Sequence, residues 1–380
     1  MGNRTWLVIL FLISILVFKA TTAGGTAFNH FVLLSDAIIQ GKIYIEGEMP
    51  WLEKIPIDNN RFFVANPPMP AIVSTLPVLV FGKDLPQEYI SFLIGALLVT
   101  TTFLVSLRIK NSLQLALWSS ILVGFGTINW YLITVGSTWY LAQIFSELFL
   151  MLAILSVTKN KNPILTGLFI GFAYFSRIPT ILTLPFFLAS LPKPFIKNAF
   201  ILGLGVAPSI LMNFAYNYLR FGVIWDIGYT LIPGISSEPW YAKGVINPSY
   251  IIDHLKIIFL TIPSYENTFP YFKPSLFGYA IWFTTPAFIF SFFNSLKDKT
   301  VRFSWISIIF VSLLIFSHGS TGFTQFGYRF AADFYPILIY LTILGVKNKN
   351  GPRWYHWIVL FLGVLVNLWG VLFLNVLKWV

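Results

Sequence analysis

Two sets of side chains in this sequence are of the right type to do chemistry together. Seven of the 14 acids fall within residues 23–88, namely Asp36, Glu46, Glu48, Glu53, Asp58, Asp84 and Glu88. Three arginines, Arg177, Arg220 and Arg329, stand where long apolar stretches give way to polar sequence. A carboxylate can take a proton from an attacking hydroxyl, and a guanidinium grips a phosphate through two parallel hydrogen bonds. Together they would suit transfer of a group away from an anionic leaving group, with Tyr328 beside Arg329 as a further contact. Each residue also has a plainer reading. A single loop acid can be solvated surface, Arg177 can be an interfacial side chain reaching for water, and Arg329 can pair with Asp333 at i+4 on a helix. Glu147 lies inside an apolar stretch with Gln143 one turn earlier, so it must face the bundle interior, for function or for a structural hydrogen bond.

The elements that must hold these residues are membrane helices. Of 380 residues, 57% are hydrophobic, 18% are aromatic and only 10% are charged, whereas an ordinary soluble domain carries about 25% charged residues. The net charge of +11 is an orientation signal. Basic clusters at Arg4, Arg108/Lys110, Lys159/Lys161, Lys193/Lys197, Lys297/Lys299/Arg302 and Lys347/Lys349/Arg353 take up 13 of the 25 Lys and Arg and only one acid, Asp298. The positive-inside rule places these clusters in the cytoplasm, which leaves nothing for nucleic-acid binding to explain. The absence of cysteine excludes disulfides and thiolate metal sites.

An even number of crossings between successive basic clusters then predicts an all-α, polytopic integral membrane protein of about 11 transmembrane helices. The expected spans are 5–22, 89–107, 113–130, 137–157, two short helices within 163–192 flanking Arg177, 198–218, 276–294, 303–317, 335–346 and 354–376. The N-terminus is expected in the cytoplasm and the C-terminus outside. Residues 5–22 read as a retained signal-anchor, with a cleaved signal peptide as the alternative. The stretch 68–82, opened by Pro67-Pro68-Met69-Pro70 and interrupted by Pro77, is expected to be a poor helix lying on or dipping into the outer face. Residues 29–41 read as an amphipathic helix ended by Gly41, with Asn29, Leu33, Asp36 and Gln40 at helical spacing. The chain is expected to be a single transmembrane domain, 1–380, with a first outer loop at 23–88, a second at 219–275 and a shorter polar segment at 318–334.

Several chemistries find no support. There is no phosphate-binding glycine loop, dinucleotide fingerprint or metalloprotease motif, and no nucleophile elbow. His30, His254, His318 and His356 are scattered, and the loop acids lack calcium-ligand spacing, though a divalent ion stays open. No two matching halves with broken helices mark a transporter.

The order of elements resembles the GT-C class of polyprenyl-phosphate-dependent membrane glycosyltransferases, in particular the protein O-mannosyltransferase and aminoarabinose-transferase relatives. The resemblance runs through most of the chain. It is carried by His30-Phe31, Gly41-Lys42-Ile43-Tyr44, Pro67-Pro68-Met69-Pro70, Gly167 to Arg177-Ile178-Pro179-Thr180, Asn217-Tyr218-Leu219-Arg220-Phe221-Gly222 with Gly228-Tyr229, Thr284-Thr285-Pro286 and Phe326-Gly327-Tyr328-Arg329. It implies a GT-C-like bundle with extracytoplasmic juxtamembrane helices in the cell membrane. The implied activity is inverting transfer, on the outer face, of a hexosyl- or mannosyl-type sugar from a polyprenyl-phosphate-linked donor to a hydroxyl of a glycan, lipid or protein acceptor. A loop carboxylate would act as base and arginines would hold the donor phosphate. Ala27 and Phe28 occupy the positions of the family's acidic pair, so the base falls to Asp36, Asp58 or His30. Arg329, Arg177, Arg220 and Tyr328 would bind the phosphate. No cofactor is implied. A lipid-linked sugar carrier or flippase, or a non-catalytic membrane assembly subunit, is the alternative.

Overall fold

The computed structural model describes residues 2–47, 53–159, 161–347 and 351–379. Glu48, Lys349 and the side chain of Lys159 lie outside the described residues.

The chain opens with α1 (Asn3–Ala20) and then builds its first loop from α2 (His30–Ile39), three short strands and α3 (Met69–Phe81). The strands β1 (Ile45–Glu46), β2 (Lys54–Pro56) and β3 (Arg61–Val64) form an antiparallel sheet in the order β1-β3-β2, with Ile45 opposite Phe62 and Ile55 opposite Phe63. The described residues are otherwise mostly helical, as expected, and this small sheet is the one addition to the all-α reading. Ile45, Ile55, Phe62 and Val64 are buried while Glu46, Pro56 and Arg61 face out, the period-two alternation of a half-covered ribbon. The proline-rich stretch is also more regular than expected, since α3 runs unbroken for 13 residues. Pro70 falls in its first turn, where a missing N–H costs nothing, which leaves Pro77 as the one interior interruption. Its last turn exposes Leu76, Leu79, Val80 and Phe81, as a helix end set in lipid would.

α4 (Gln87–Ile109) leads to α5 (Leu113–Phe125) and α6 (Asn129–Val135), which meet at a 52° bend, and then to α7 (Thr138–Lys159). α8 (Pro163–Tyr174) is followed by a 3-10 turn, Ile178–Thr183, that continues into α9 (Leu184–Ser190), and then by α10 (Phe195–Phe221). Arg177 thus sits between two short helices, as charge parity requires. The long segment after α10 holds 3-10 turns and α11 (Ile251–Leu260). The chain finishes through α12 (Ile281–Thr284) with the 3-10 segment Pro286–Phe293, α13 (Lys299–Ile315), the 3-10 turn Arg329–Asp333, α14 (Tyr335–Val346) and α15 (Trp354–Val371), which ends in a π turn, Leu372–Leu377.

Among the described residues, five helices are long and apolar enough to cross a membrane, or six if the bent α5–α6 pair is one span. The chain is therefore an integral multi-pass membrane protein. The other expected spans are present as shorter helical segments; α8 and α14 have 12 residues each, about 18 Å of rise against a hydrocarbon core of about 30 Å. Pro286 breaks the segment expected at 276–294, because it lacks the N–H to continue α12.

The described basic clusters after the first helix fall in the tight turns α4–α5, α7–α8, α9–α10, before α13 and before α15. The outer segments connect the opposite ends of the same helices. α8 and α10 approach so closely that a Cβ on Gly167 would collide with the Leu202 carbonyl, and one on Gly205 with the Ile164 carbonyl. Such small-residue seams let helices associate in lipid, where apolar side chains gain nothing by leaving one another's company. Gly205→Val is expected to force the pair apart at a cost of about 1–3 kcal/mol or more, read as a lowered Tm in detergent; an unchanged Tm would mean the seam is not structural.

The ends of the chain are stitched into the same bundle. Trp130 Nε1 donates to Thr21 Oγ1 (3.0 Å), and Asn375 Nδ2 donates to the Thr21 carbonyl (3.2 Å) and to Thr134 Oγ1 (2.8 Å).

Candidate active site

Gln87, in the first turn of α4, fixes the site's frame. Its Oε1 accepts from Phe31 N (3.0 Å), and its Nε2 donates to the carbonyls of Phe28 (3.1 Å) and Gly136 (2.9 Å). The start of α2 and the turn into α7 are thereby held together. That turn presents Trp139 and Tyr140 to the outer segments. Phe28 packs on Trp139 at 4.9 Å between ring centroids, and His30 meets the same ring edge-on at 6.0 Å.

Arg329 is clamped through its backbone. Its N–H donates to Gln325 Oε1 (3.0 Å), and its carbonyl accepts from Gln143 Nε2 (3.0 Å). Its side chain is buried, the residue being 8% exposed, yet Nε and Nη1 have no hydrogen-bond partner among the described residues. The guanidinium instead lies 4.7 Å from the Phe330 ring centroid and 5.4 Å from that of Tyr140. Cation–π contact compensates part of the desolvation, but the Nε and Nη1 donors remain without a hydrogen-bond partner among the described residues.

The i+4 pairing of Arg329 with Asp333 does not form. Asp333 is held by Arg177 in a two-pronged bond, Nε to Oδ1 at 3.0 Å and Nη2 to Oδ2 at 2.7 Å. The reason is local: residues 329–333 form a 3-10 turn, and with three residues per turn the i+4 side chain is rotated roughly a third of a turn away. Arg177 and Asp333 neutralise each other across 156 residues of sequence. Breaking a buried pair from one side leaves an uncompensated charge, at a cost of about 3–5 kcal/mol. Asp333→Asn is therefore expected to lower thermal stability strongly, and Arg177→Met with Asp333→Leu to recover much of it; a single variant as stable as wild type would show the pair to be dispensable.

Tyr328 has its one hydrogen committed. His254 Nε2 can only donate to the His318 carbonyl (2.7 Å), so its Nδ1 accepts from the Tyr328 hydroxyl (2.6 Å). Arg220 is similarly occupied: Nη1 donates to the Val64 carbonyl (2.6 Å) and Nη2 to Asn217 Oδ1 (2.7 Å), which ties β3 to the end of α10. Of the four phosphate-binding candidates, then, Arg329 keeps free donors, Arg177 is ion-paired, and Arg220 and Tyr328 are spent within the protein.

The three candidate bases do not come together. Asp58 accepts from Asn60 N, Arg61 N and Arg61 Nε (2.7 Å) at the exposed β2–β3 turn, and these bonds hold its carboxyl below the ordinary range. Asp36 accepts from Gln40 Nε2 (2.7 Å) and faces a cavity on one side of α2. His30 is buried, and burial pushes its imidazole down to about 3, so it is neutral at physiological pH. Glu147 accepts from Asn129 Nδ2 (2.8 Å), the structural bond considered for it.

A loop acid whose carboxyl senses the charge of Arg329 is Glu53. Its Oε2 accepts from Trp139 Nε1 and from the Tyr229 hydroxyl (3.0 Å), and Oε1 has no hydrogen bond among the described residues. Burial raises its carboxyl above the ordinary range, while these two bonds and the nearby positive charge of Arg329 oppose the rise. The sequence lists Glu53 as one of seven loop acids and marks Tyr229 only as part of Gly228-Tyr229. What singles both out is their convergence with Trp139 from three separate segments. Among the described residues no three His, Asp or Glu side chains form a metal-ligating group.

No protein-family model matches the sequence, and no curated protein does so. Two solved structures are similar in fold. One is the archaeal oligosaccharyltransferase AglB from Archaeoglobus fulgidus in complex with an inhibitory peptide and a dolichol-phosphate, at 11% identity and a TM-score of 0.55, covering 99% of this chain and 56% of that one. The other is ArnT from Cupriavidus metallidurans bound to undecaprenyl phosphate, at 11% identity and a TM-score of 0.56, covering 95% of this chain and 63% of that one. This chain spans less than two thirds of either structure's length. It shares the fold of these two structures.

Proposed function

We propose that the chain is a membrane glycosyltransferase that moves a sugar from a polyprenyl-phosphate-linked donor to an acceptor hydroxyl on the extracytoplasmic face, with inversion. The observation that carries this reading is the buried guanidinium of Arg329, with Nε and Nη1 unpartnered among the described residues, whose positive charge acts on the Glu53 carboxyl. In this reading Arg329 holds the donor phosphate and Glu53 is the base, ahead of Asp36, Asp58 and His30. Glu53 Oε1 takes the acceptor proton while the acceptor oxygen bonds to the anomeric carbon from the face opposite the phosphate. The bond from that carbon to the phosphate oxygen breaks, and its electron pair leaves with the polyprenyl phosphate, whose negative charge Arg329 receives. Arg177, paired with Asp333, positions the turn that carries Arg329, and Arg220 anchors the first loop. We assign no cofactor, eleven crossings including the short helices, a cytoplasmic N-terminus and an extracytoplasmic C-terminus in the cell membrane. The acceptor is a glycan, lipid or protein. A carrier or flippase would need a charged pathway between leaflets, whereas the uncommitted charge lies at one end of the bundle.

The test is transfer of radiolabelled sugar from a synthetic polyprenyl-phosphate donor in proteoliposomes, with product stereochemistry read by NMR. Movement of intact lipid-linked sugar between leaflets without a new glycosidic bond would overturn the assignment in favour of a carrier. The pH dependence follows from Glu53. A base works only when ionised, and this carboxyl lies above the ordinary range because it is buried. The acid limb of the kcat/KM profile is therefore expected at higher pH than for a solvated carboxylate, with activity falling as pH drops through the raised pKa. A profile that is flat through the weakly acidic range would remove Glu53 as base.

A further inference from the structure

The stripe Asn29, Leu33, Asp36 and Gln40 does not lie against lipid. It forms one wall of a cavity of about 720 Å³, whose other wall is the turn between α3 and α4, with Lys83, Asp84 and Glu88. His30 is not on that wall and packs instead on Trp139, so α2 separates the cavity from the Arg329–Glu53 site. Glu88 is the informative residue. It is 4% exposed, and its Oε2 has no hydrogen-bond partner among the described residues. Its backbone is held close to Gly136, which at φ +61° packs so tightly that a Cβ there would meet Glu88 Cα at 2.7 Å. Its neighbour Gln87 is bonded on both sides of its amide. A fixed, buried carboxylate oxygen without a donor is costly unless something supplies one.

The lining defines what that something is. Lys42 is paired with Glu46 at 2.8 Å, which leaves Asp36, Asp84 and Glu88 against Lys83. This surface offers carboxylate acceptors in excess, so it attracts hydroxyl and ammonium donors and repels anions. Its volume falls within the range of small-molecule sites. We propose that this cavity is a saccharide-binding site, separate from the phosphate-binding site, that favours amino sugars and is keyed by Glu88. Binding is read without any lipid donor, so the result is independent of whether transfer occurs.

The experiment uses the full chain in detergent, with a glucosamine tetramer as the cationic probe and a galacturonic acid tetramer as the anionic one, titrated by calorimetry and saturation-transfer NMR. The glucosamine tetramer is expected to bind and the uronate not. Glu88→Gln is expected to weaken binding roughly tenfold or more, the scale of a lost charge-assisted hydrogen bond. Asp36→Asn, which changes only the cavity face of α2, is expected to weaken it as well and serves if Glu88→Gln lowers the Tm. Absence of binding, equal binding of the two probes, or unchanged affinity in both variants would overturn the proposal.

Discussion

Arg329→Ala is expected to reduce kcat/KM for the lipid-linked donor by at least about 10²–10³-fold, the scale on which removal of a preorganised transition-state donor is felt. Nε and Nη1 make no hydrogen bond among the described residues, so the loss should come with little change in Tm. This separates Arg329 from Arg177, whose removal strands the Asp333 carboxylate and acts first on stability. Lysine is not expected to rescue. A guanidinium offers several donors in a rigid fork and lies flat on aromatic faces, and Arg329 lies over Phe330 and Tyr140; an ammonium offers one compact charge. The charges fit the transfer. In the proposed transfer the donor is a phosphodiester with a single negative charge, matched by one uncommitted arginine, whereas the monoester product would carry about −1.5 to −2 at neutral pH. The proton collected by Glu53 is generated beside that surplus. Direct measurement of donor affinity decides the matter. If Arg329→Ala binds donor and transfers sugar as wild type does, the phosphate lies elsewhere.

Glu53→Gln carries the second large effect. The amide keeps the size of the carboxylate and can still accept from Trp139 and Tyr229, so the site should hold its shape while losing its proton acceptor. Transfer is expected to fall by about 10²–10⁴-fold, the usual range for a general base, with donor affinity changed far less. Asp58→Asn and Asp36→Asn serve as controls with different expectations. The first loosens an exposed turn, and the second alters the cavity on the other side of α2. If Glu53→Gln retains full transfer while Asp36→Asn abolishes it, the base lies in that cavity and the roles of the two sites exchange.

The helical skeleton was legible in the sequence because its signals are local. Gly41 at φ +76° lies just past the end of α2, Arg177 falls between two short helices, and 335–346 is helical over its full expected length. The departures share a cause. The sheet in the first loop rests on alternation only two to four residues long, mixed with Gly, Asn and acids, too short to separate from irregular loop. The Arg329–Asp333 pair follows from α-helical spacing, and the 3-10 turn changes which side chains share a face. Glu53 could not be ranked above its six companions, because what distinguishes it is burial against Trp139 and Tyr229, 86 and 176 residues further on.

The bonds from Asn375 bear on how the molecule is made. A chain inserted from its N-terminus presents the Thr21 carbonyl and the Thr134 hydroxyl to the growing bundle long before their partner exists. Thr134 lies two residues from Gly136, whose carbonyl anchors Gln87 and whose turn seats Trp139. The turn bearing the site is thus closed by a residue just past α15, 241 residues beyond its partner Thr134 in sequence. Assembly of a competent centre is coupled to synthesis of the segment that carries Asn375, and a nascent chain stalled before α15 holds every residue proposed for the reaction without the lock that orders them.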